Sequence, residues 1–182
     1  MSIPLASSLA IAAALMLAAC AETRISDHTT ESPRPAALDR TLLVVETALP
    51  ADTPDLESRT AEAQAVVHAL LDHRVGGMAA MAPDAALSTE ARARGLGSVS
   101  VVRIEDYARR GNLYVALALP PVSWDTRTDI SVRLRVIDAQ SGTASEMRRD
   151  RTRGGLFSLR SPADLAPELA ATLESLFTPQ GT

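Results

Sequence analysis

The chain has 182 residues, 46% of them hydrophobic and 3% aromatic, with 22 acidic against 18 basic side chains and a formal net charge of −4. That length suits one packed domain rather than two, and the negative balance excludes general nucleic-acid binding. A single cysteine, Cys20, excludes an internal disulfide.

Residues 1–19 carry no charged side chain, and residues 9–19 (LAIAAALMLAA) form an unbroken apolar run. The run has the length of a secretory-signal core and is short for a membrane span. It closes on Leu17, Ala18, Ala19 and Cys20, a sequence that resembles the lipobox of bacterial lipoproteins. The resemblance implies that the Cys20 thiolate receives a diacylglycerol, that cleavage follows Ala19, and that the new amino group is acylated. Ala21, rather than an aspartate, follows the cysteine, which by the same resemblance implies an outer-membrane destination facing the periplasm. Each buried methylene contributes about 0.8 kcal/mol and stable attachment needs more than one chain, a condition that a diacylglycerol plus an amide-linked acyl group meets. The amino-terminal segment departs from the pattern in lacking Lys and Arg. An ordinary secretory cut or an uncleaved anchor, with Cys20 incidental, is the competing reading.

Residues 20–40 then read as the lipidated cysteine and a polar tether with Pro33 and Pro35. Such a tether would reach about 25 Å. The folded domain is expected over residues 41–178. Its first strand is TLLVV (41–45), a continuous apolar run of the kind covered on both faces. Thr53 is placed to cap a helix with Pro54 as its first residue, running to about Arg74 with Leu56, Ala63, Val67, Leu70 and Leu71 on one face. GGMAAMA (76–82) reads as a small-residue strand, Asp84 as the cap of a shorter helix ending near Gly95, and SVSVVRIE (98–105) as a third strand. LYVALAL (113–119) reads as another strand, closed by Pro120 and Pro121. DISVRLRVID (129–138) alternates strictly, DAQSG (138–142) supplies a turn, and an arginine-rich return strand spans 143 to about 152. Ser161, Pro162 and Asp164 open a last helix whose buried stripe is Leu165, Leu169, Leu173, Leu176 and Phe177, with Pro167 disturbing its first turn. The expected fold is therefore α/β: a single domain with a mixed sheet, a parallel β-α-β-α-β start, an antiparallel C-terminal hairpin and a final C-terminal helix.

The order of these elements resembles a family of uncharacterised proteobacterial lipoproteins that share one domain of unknown function. More distantly it is similar to lipoprotein domains of the curli-secretion channel, of an outer-membrane activator of penicillin-binding proteins, and of the N-terminal part of TolB. The residues that carry the likeness are the lipobox, TLLVV, GLGSVSVVRIE, SWDTRTDISVRLRVIDAQSG and SPADL. The tryptophan-rich segment of the uncharacterised family is replaced here by IEDYARRG. The resemblance implies a membrane-anchored interaction or assembly module with an envelope protein as partner. A periplasmic ligand-binding or cell-wall-binding protein is the alternative, and a hydrolase a weaker one.

Catalytic chemistry is hard to assemble from the residues. His28 lies in the tether, and His68 and His73 are five apart on a helix, a spacing that does not stack them. Metal-ligand spacing is missing, as is a nucleophile elbow, so no metal, no cofactor and no enzymatic activity are expected. GLGSVS (95–100) precedes a strand, whereas phosphate cradles follow one, so Gly95 and Gly97 read as helix terminators. Glu105 and Asp106 are neighbours on a strand and should point to opposite faces. A small-ligand cleft at the strand ends is expected near Thr47 and Pro83. The remaining candidate is a basic plate formed by Arg133 and Arg135 together with Arg148, Arg149, Arg151 and Arg153. Edge protection and solubility are its simpler reading; docking to an acidic partner, anionic lipid or cell-wall carboxylates is the functional one.

Overall fold

The computed structural model describes residues 22–29, 37–113, 124–156 and 161–177. In chain order these form β1 (Glu22–Thr29), β2 (Thr41–Thr47), α1 (Leu56–Leu71), β3 (Gly77–Ala79), α2 (Asp84–Ala93), β4 (Ser98–Leu113), β5 (Trp124–Asp138), β6 (Ala144–Leu156) and α3 (Leu165–Phe177). One six-stranded sheet carries them in the order β1-β6-β5-β4-β2-β3. β2 runs parallel to β3 and β4, and the pairs β4/β5, β5/β6 and β6/β1 are antiparallel. The mixed α/β domain with a parallel start, an antiparallel hairpin and a closing helix is the fold that the sequence leads one to expect.

β2 explains the architecture. Leu43 packs with Ala63, Val67 and Leu71 of α1 and with Leu165, Leu169 and Leu173 of α3, whereas Leu42 and Val44 pack with Leu87 and Ala91 of α2. Both sides of the strand are thus covered, which is why its sequence is apolar throughout. α1 and α3 occupy one face of the sheet and α2 the other. The side chain of Thr41 meets that of Ser98 at 2.9 Å within the buried β2/β4 pair, so neither hydroxyl is left without a partner. Gly76 lies where a Cβ would stand 2.5 Å from the Asp39 carbonyl oxygen and from the Leu96 side chain, so only glycine fits.

Several boundaries move. Residues 22–29, expected within the tether, form β1 on the open edge of β6, so the sheet begins at Glu22 rather than at residue 41. Composition marked this segment as linker, but Thr23, Ile25 and Thr29 are β-branched residues spaced for a strand, and the neighbouring edge offers unpaired backbone groups. Thr53 does not cap α1: the position before the helix is Asp55, in the left-handed conformation at φ 55°, and α1 ends at Leu71. Asp84 is the first residue of α2 rather than its cap and instead pairs with Arg135 at 2.6 Å. β3 is only three residues long. The Ser161–Asp164 capping box forms as expected, with Ser161 accepting from Ala163 and Asp164 accepting from the Ser161 N–H. Gly95, at φ 73°, terminates α2. Of the strand expected over residues 113–119, Leu113 ends β4 and the rest lies outside the described residues.

Candidate functional site

The register of β5 and β6 decides where the arginines go. Met147, Arg149, Arg151 and Arg153 stand opposite Leu134, Val132, Ile130 and Thr128, on the face covered by α1 and α3. Arg133, Arg135 and Arg148 occupy the other face, with Arg148 directly across from Arg133. The expected basic plate is therefore two separate groups. On the helix side, Arg151 and Arg153 converge on Glu168 of α3, at 2.8 Å and 2.6 Å, and Glu168 is only 4% exposed. The Arg153 Nη1 donates a hydrogen bond to Glu168 Oε1, whereas the Arg151 Nε contact is an ion pair whose N–H is not aimed at the oxygen. Arg149, 4% exposed, lies on the same face. Arginine stems are long enough to pack as apolar chains while the head group finds a carboxylate, which is how a strand this charged is accommodated under a helix.

The opposite face of β4, β5 and β6 is a lattice of alternating charge. A bulge between Ile104 and Asp106 sets it up. The extra residue turns Glu105 and Asp106 to the same side instead of opposite sides. Glu105 reaches Arg133 at 2.7 Å and Arg148 at 3.5 Å, and Arg133 also donates to Glu146 at 2.8 Å. Asp106 accepts from Arg110 at 2.7 Å. Asp129 gathers Arg127 at 3.0 Å, Arg110 at 3.3 Å and the Thr152 hydroxyl at 2.8 Å. Arg148 donates to Asp150 at 3.0 Å. Arg133, Arg135 and Arg148 thus lie on a salt-linked surface of nearly balanced sign.

Within that surface a groove of about 350 Å³ is lined by Asp106, Arg110, Asp129, Ser131, Arg148 and Asp150, among others. Two polar atoms in it are buried without a hydrogen-bond partner: the Ser131 hydroxyl, on a residue 4% exposed, and Asp106 Oδ1. Burial pushes the Asp106 carboxyl above its ordinary range, more than Arg110 pulls it down, and nearby Asp129 adds to the rise. Arg110 and Arg133 are held still more firmly protonated by the carboxylates that they bond. The groove can accept a hydrogen-bond donor at Asp106 and either a donor or an acceptor at Ser131, flanked by guanidinium groups.

Neither Asp106 nor Ser131 stood out from the sequence as a site. The signal was in the spacing: Val102 and Ile104 keep the two-residue period, but the next buried large side chain, Tyr107, follows three positions later. One extra residue in that interval is what a bulge requires. Neither Thr47 nor Pro83 lines the groove, and the Thr47 hydroxyl accepts from Gln64 at 2.9 Å. Among the described residues no three His, Cys, Asp or Glu side chains are grouped to hold a metal ion, and no helix is long and apolar enough to cross a membrane. Leu17, Ala18, Ala19 and Cys20 lie outside the described residues.

No protein-family profile matches the sequence, and no curated protein matches it either. Solved structures do. The chain is similar to PelC from Paraburkholderia phytofirmans, a dodecamer, with 18% identity and a TM-score of 0.48 over 86% of this chain and 100% of that one. It is similar to lipoprotein GNA1162 from Neisseria meningitidis, with 14% identity and a TM-score of 0.36 over 74% and 95%. It is also similar to protein XCC0632 from Xanthomonas campestris, with 11% identity and a TM-score of 0.39 over 86% and 88%. A lipoprotein and proteins of unassigned role thus stand among the structures that it resembles, and none of these likenesses assigns an activity.

Proposed function

We propose that this chain is a cell-envelope lipoprotein, anchored through Cys20 on the periplasmic side of the outer membrane, whose charged sheet face docks another envelope protein. Its role is binding rather than catalysis. The anchor rests on Leu17, Ala18, Ala19 and Cys20 at the end of the apolar run. Docking rests on one observation: beside α2, which packs on Val99, Val101 and Ile137, the outer face of β4, β5 and β6 presents linked charges of both signs, with the Arg133, Glu146 and Arg148 side chains about 40% exposed. Side chains of both signs, already held in place by one another, match a polar protein surface without the side-chain ordering cost that loose arginines would carry.

A photo-crosslinker replacing Arg148 or Asp150 in cells should give a discrete protein adduct, and one replacing Glu174 on α3 should not. The same adducts from all three positions, or none from any, would overturn the docking reading. The mass of the mature amino terminus tests the anchor separately. A second reading has its own support: the unpartnered Ser131 hydroxyl and Asp106 oxygen favour a small polar ligand in the groove. Calorimetric binding of cell-wall amino sugars or amines, abolished by Ser131→Val, would move the assignment there.

A further inference from the structure

The groove on the open face is built on one cross-strand row. Asp106 on β4 stands opposite Ser131 on β5, and Ser131 opposite Asp150 on β6. Neighbouring strands are about 4.8 Å apart, so two carboxylates flank a short hydroxyl side chain and leave a notch above it. Each guanidinium that lines the notch is already bonded: Arg110 to Asp106 and Asp129, Arg127 to Asp129, and Arg148 to Asp150 and Glu105. The two atoms without a partner are Asp106 Oδ1 and Ser131 Oγ, the latter on a residue 4% exposed. An anion would have to draw a guanidinium away from a carboxylate, whereas a hydrogen-bond donor finds both of these atoms unengaged. Asp129 lies close enough to Asp106 to oppose its ionisation, so a positively charged donor relieves a repulsion that a neutral one does not. Arg110 already holds Asp106 Oδ2. One remaining oxygen and one hydroxyl do not match the two parallel bonds of an arginine fork, but they suit a compact ammonium with three donors. The groove volume of about 350 Å³ is about ten times the share of one water, which is room for a side chain. This chain contains no lysine, so neither its own fold nor a second copy supplies one.

We propose that this notch receives a lysine ammonium from the docked envelope protein, held by Asp106 and Ser131. The assignment rests on the docking reading, and it gives the two unpartnered atoms to that protein rather than to a free ligand. Both atoms are shielded from water, so entry requires the rim to move. The Arg110 and Arg127 side chains, 43% and 53% exposed, are placed to give way.

The test uses the full protein in cells. An aryl fluorosulfate amino acid in place of Arg127, on the groove rim, bonds covalently to a nearby lysine, tyrosine or histidine. Because this chain has no lysine, a lysine adduct comes only from another molecule. The expected result is a protein adduct joined through a lysine. Asp106→Asn should lower its yield about tenfold or more, the loss expected for a hydrogen bond to a charged group, and Ser131→Ala about fivefold. Glu146→Gln, on the same face outside the groove, should change it less than about twofold. Burial of the Asp106 carboxyl makes the Asn variant at least as stable as the parent at neutral pH, and its Tm checks that a lost adduct does not report unfolding. An adduct through tyrosine or histidine alone, or a lysine adduct unchanged in Asp106→Asn and Ser131→Ala, overturns the ammonium site and leaves docking standing. Capture by the photo-crosslinker at Arg148 with no adduct from position 127 does the same. A small-molecule adduct assigns the groove to a free amine and also overturns the site. No protein adduct from either position defeats the docking reading, and the lysine site with it.

Discussion

Glu168 offers the sharpest test of the reading of β6. Its carboxylate is nearly inaccessible and serves two guanidinium groups, from Arg151 and Arg153, whose side chains are 18% and 41% exposed. Glu168→Gln keeps the shape and removes the charge, leaving both arginines under α3 without their counter-ion. Breaking a fully buried pair costs about 3–5 kcal/mol. Because Arg153 can turn partly to solvent, the expected loss here is smaller, about 2–3 kcal/mol, or roughly 5–10 °C in Tm for a domain of this size. Glu146→Gln is the comparison, since Glu146 bonds Arg133 on the open face at 38% exposure and its loss should cost less than about 1 kcal/mol. Urea denaturation with unchanged m would read both. A triple variant, Arg151→Met/Arg153→Met/Glu168→Leu, should return to within about 1 kcal/mol of the parent, because the expense lies in the unpaired charge. A loss for Glu168→Gln no larger than that for Glu146→Gln would refute the placement of Arg151 and Arg153 beneath the helix.

Asp106→Asn should behave in a pH-dependent way. Burial raises the Asp106 carboxyl in the folded state, so the folded chain holds its proton over a range where the unfolded chain has lost it, and stability falls as pH rises through that range. The variant should therefore be more stable than the parent at neutral pH, with the gap closing on acidification towards the ordinary carboxylate value of 3.8; a gap that stays constant from neutral to acid pH counts against the buried assignment. Gly76→Ala, forced against the Asp39 carbonyl, should destabilise by about 1–3 kcal/mol, whereas Gly97→Ala, with open space at its Cβ position, should cost far less in the same denaturation assay. Ser161→Ala removes the capping box and should cost about 1 kcal/mol, and Thr should restore most of it.

What was legible in the sequence was periodicity. The two-sided apolar run of β2, the strict alternation of β5 and the leucine stripe of α3 each state one face or two, and the fold follows from their order. The site was less legible because it depends on register. Arg148 and Arg149 are adjacent in the sequence, yet a period of two sends one to the charged lattice and the other beneath the helices. Arginine count alone could not separate them. Reading the parity of Met147, which must face the core, would have done so. The bulge at Glu105 is a further case, in which a single inserted residue reversed an argument from strict alternation. β1 was hidden for a different reason: eight residues, polar except for Ile25, become a strand because the edge of β6 is there to receive them, not because the segment has a core-facing pattern of its own.

The pairing of β1 with β6 brings the first and last strands of the sheet side by side. Whichever end of the polypeptide appears first, β1 has no ladder to join until nearly all of the sequence has emerged, and closing so large a loop is slow. In the interval the rim of β6 stands open, at the moment when stray strands from other molecules could add to it. Its run of guanidinium side chains repels such additions. The same residues that later settle beneath α3 would thus act first as a guard during assembly.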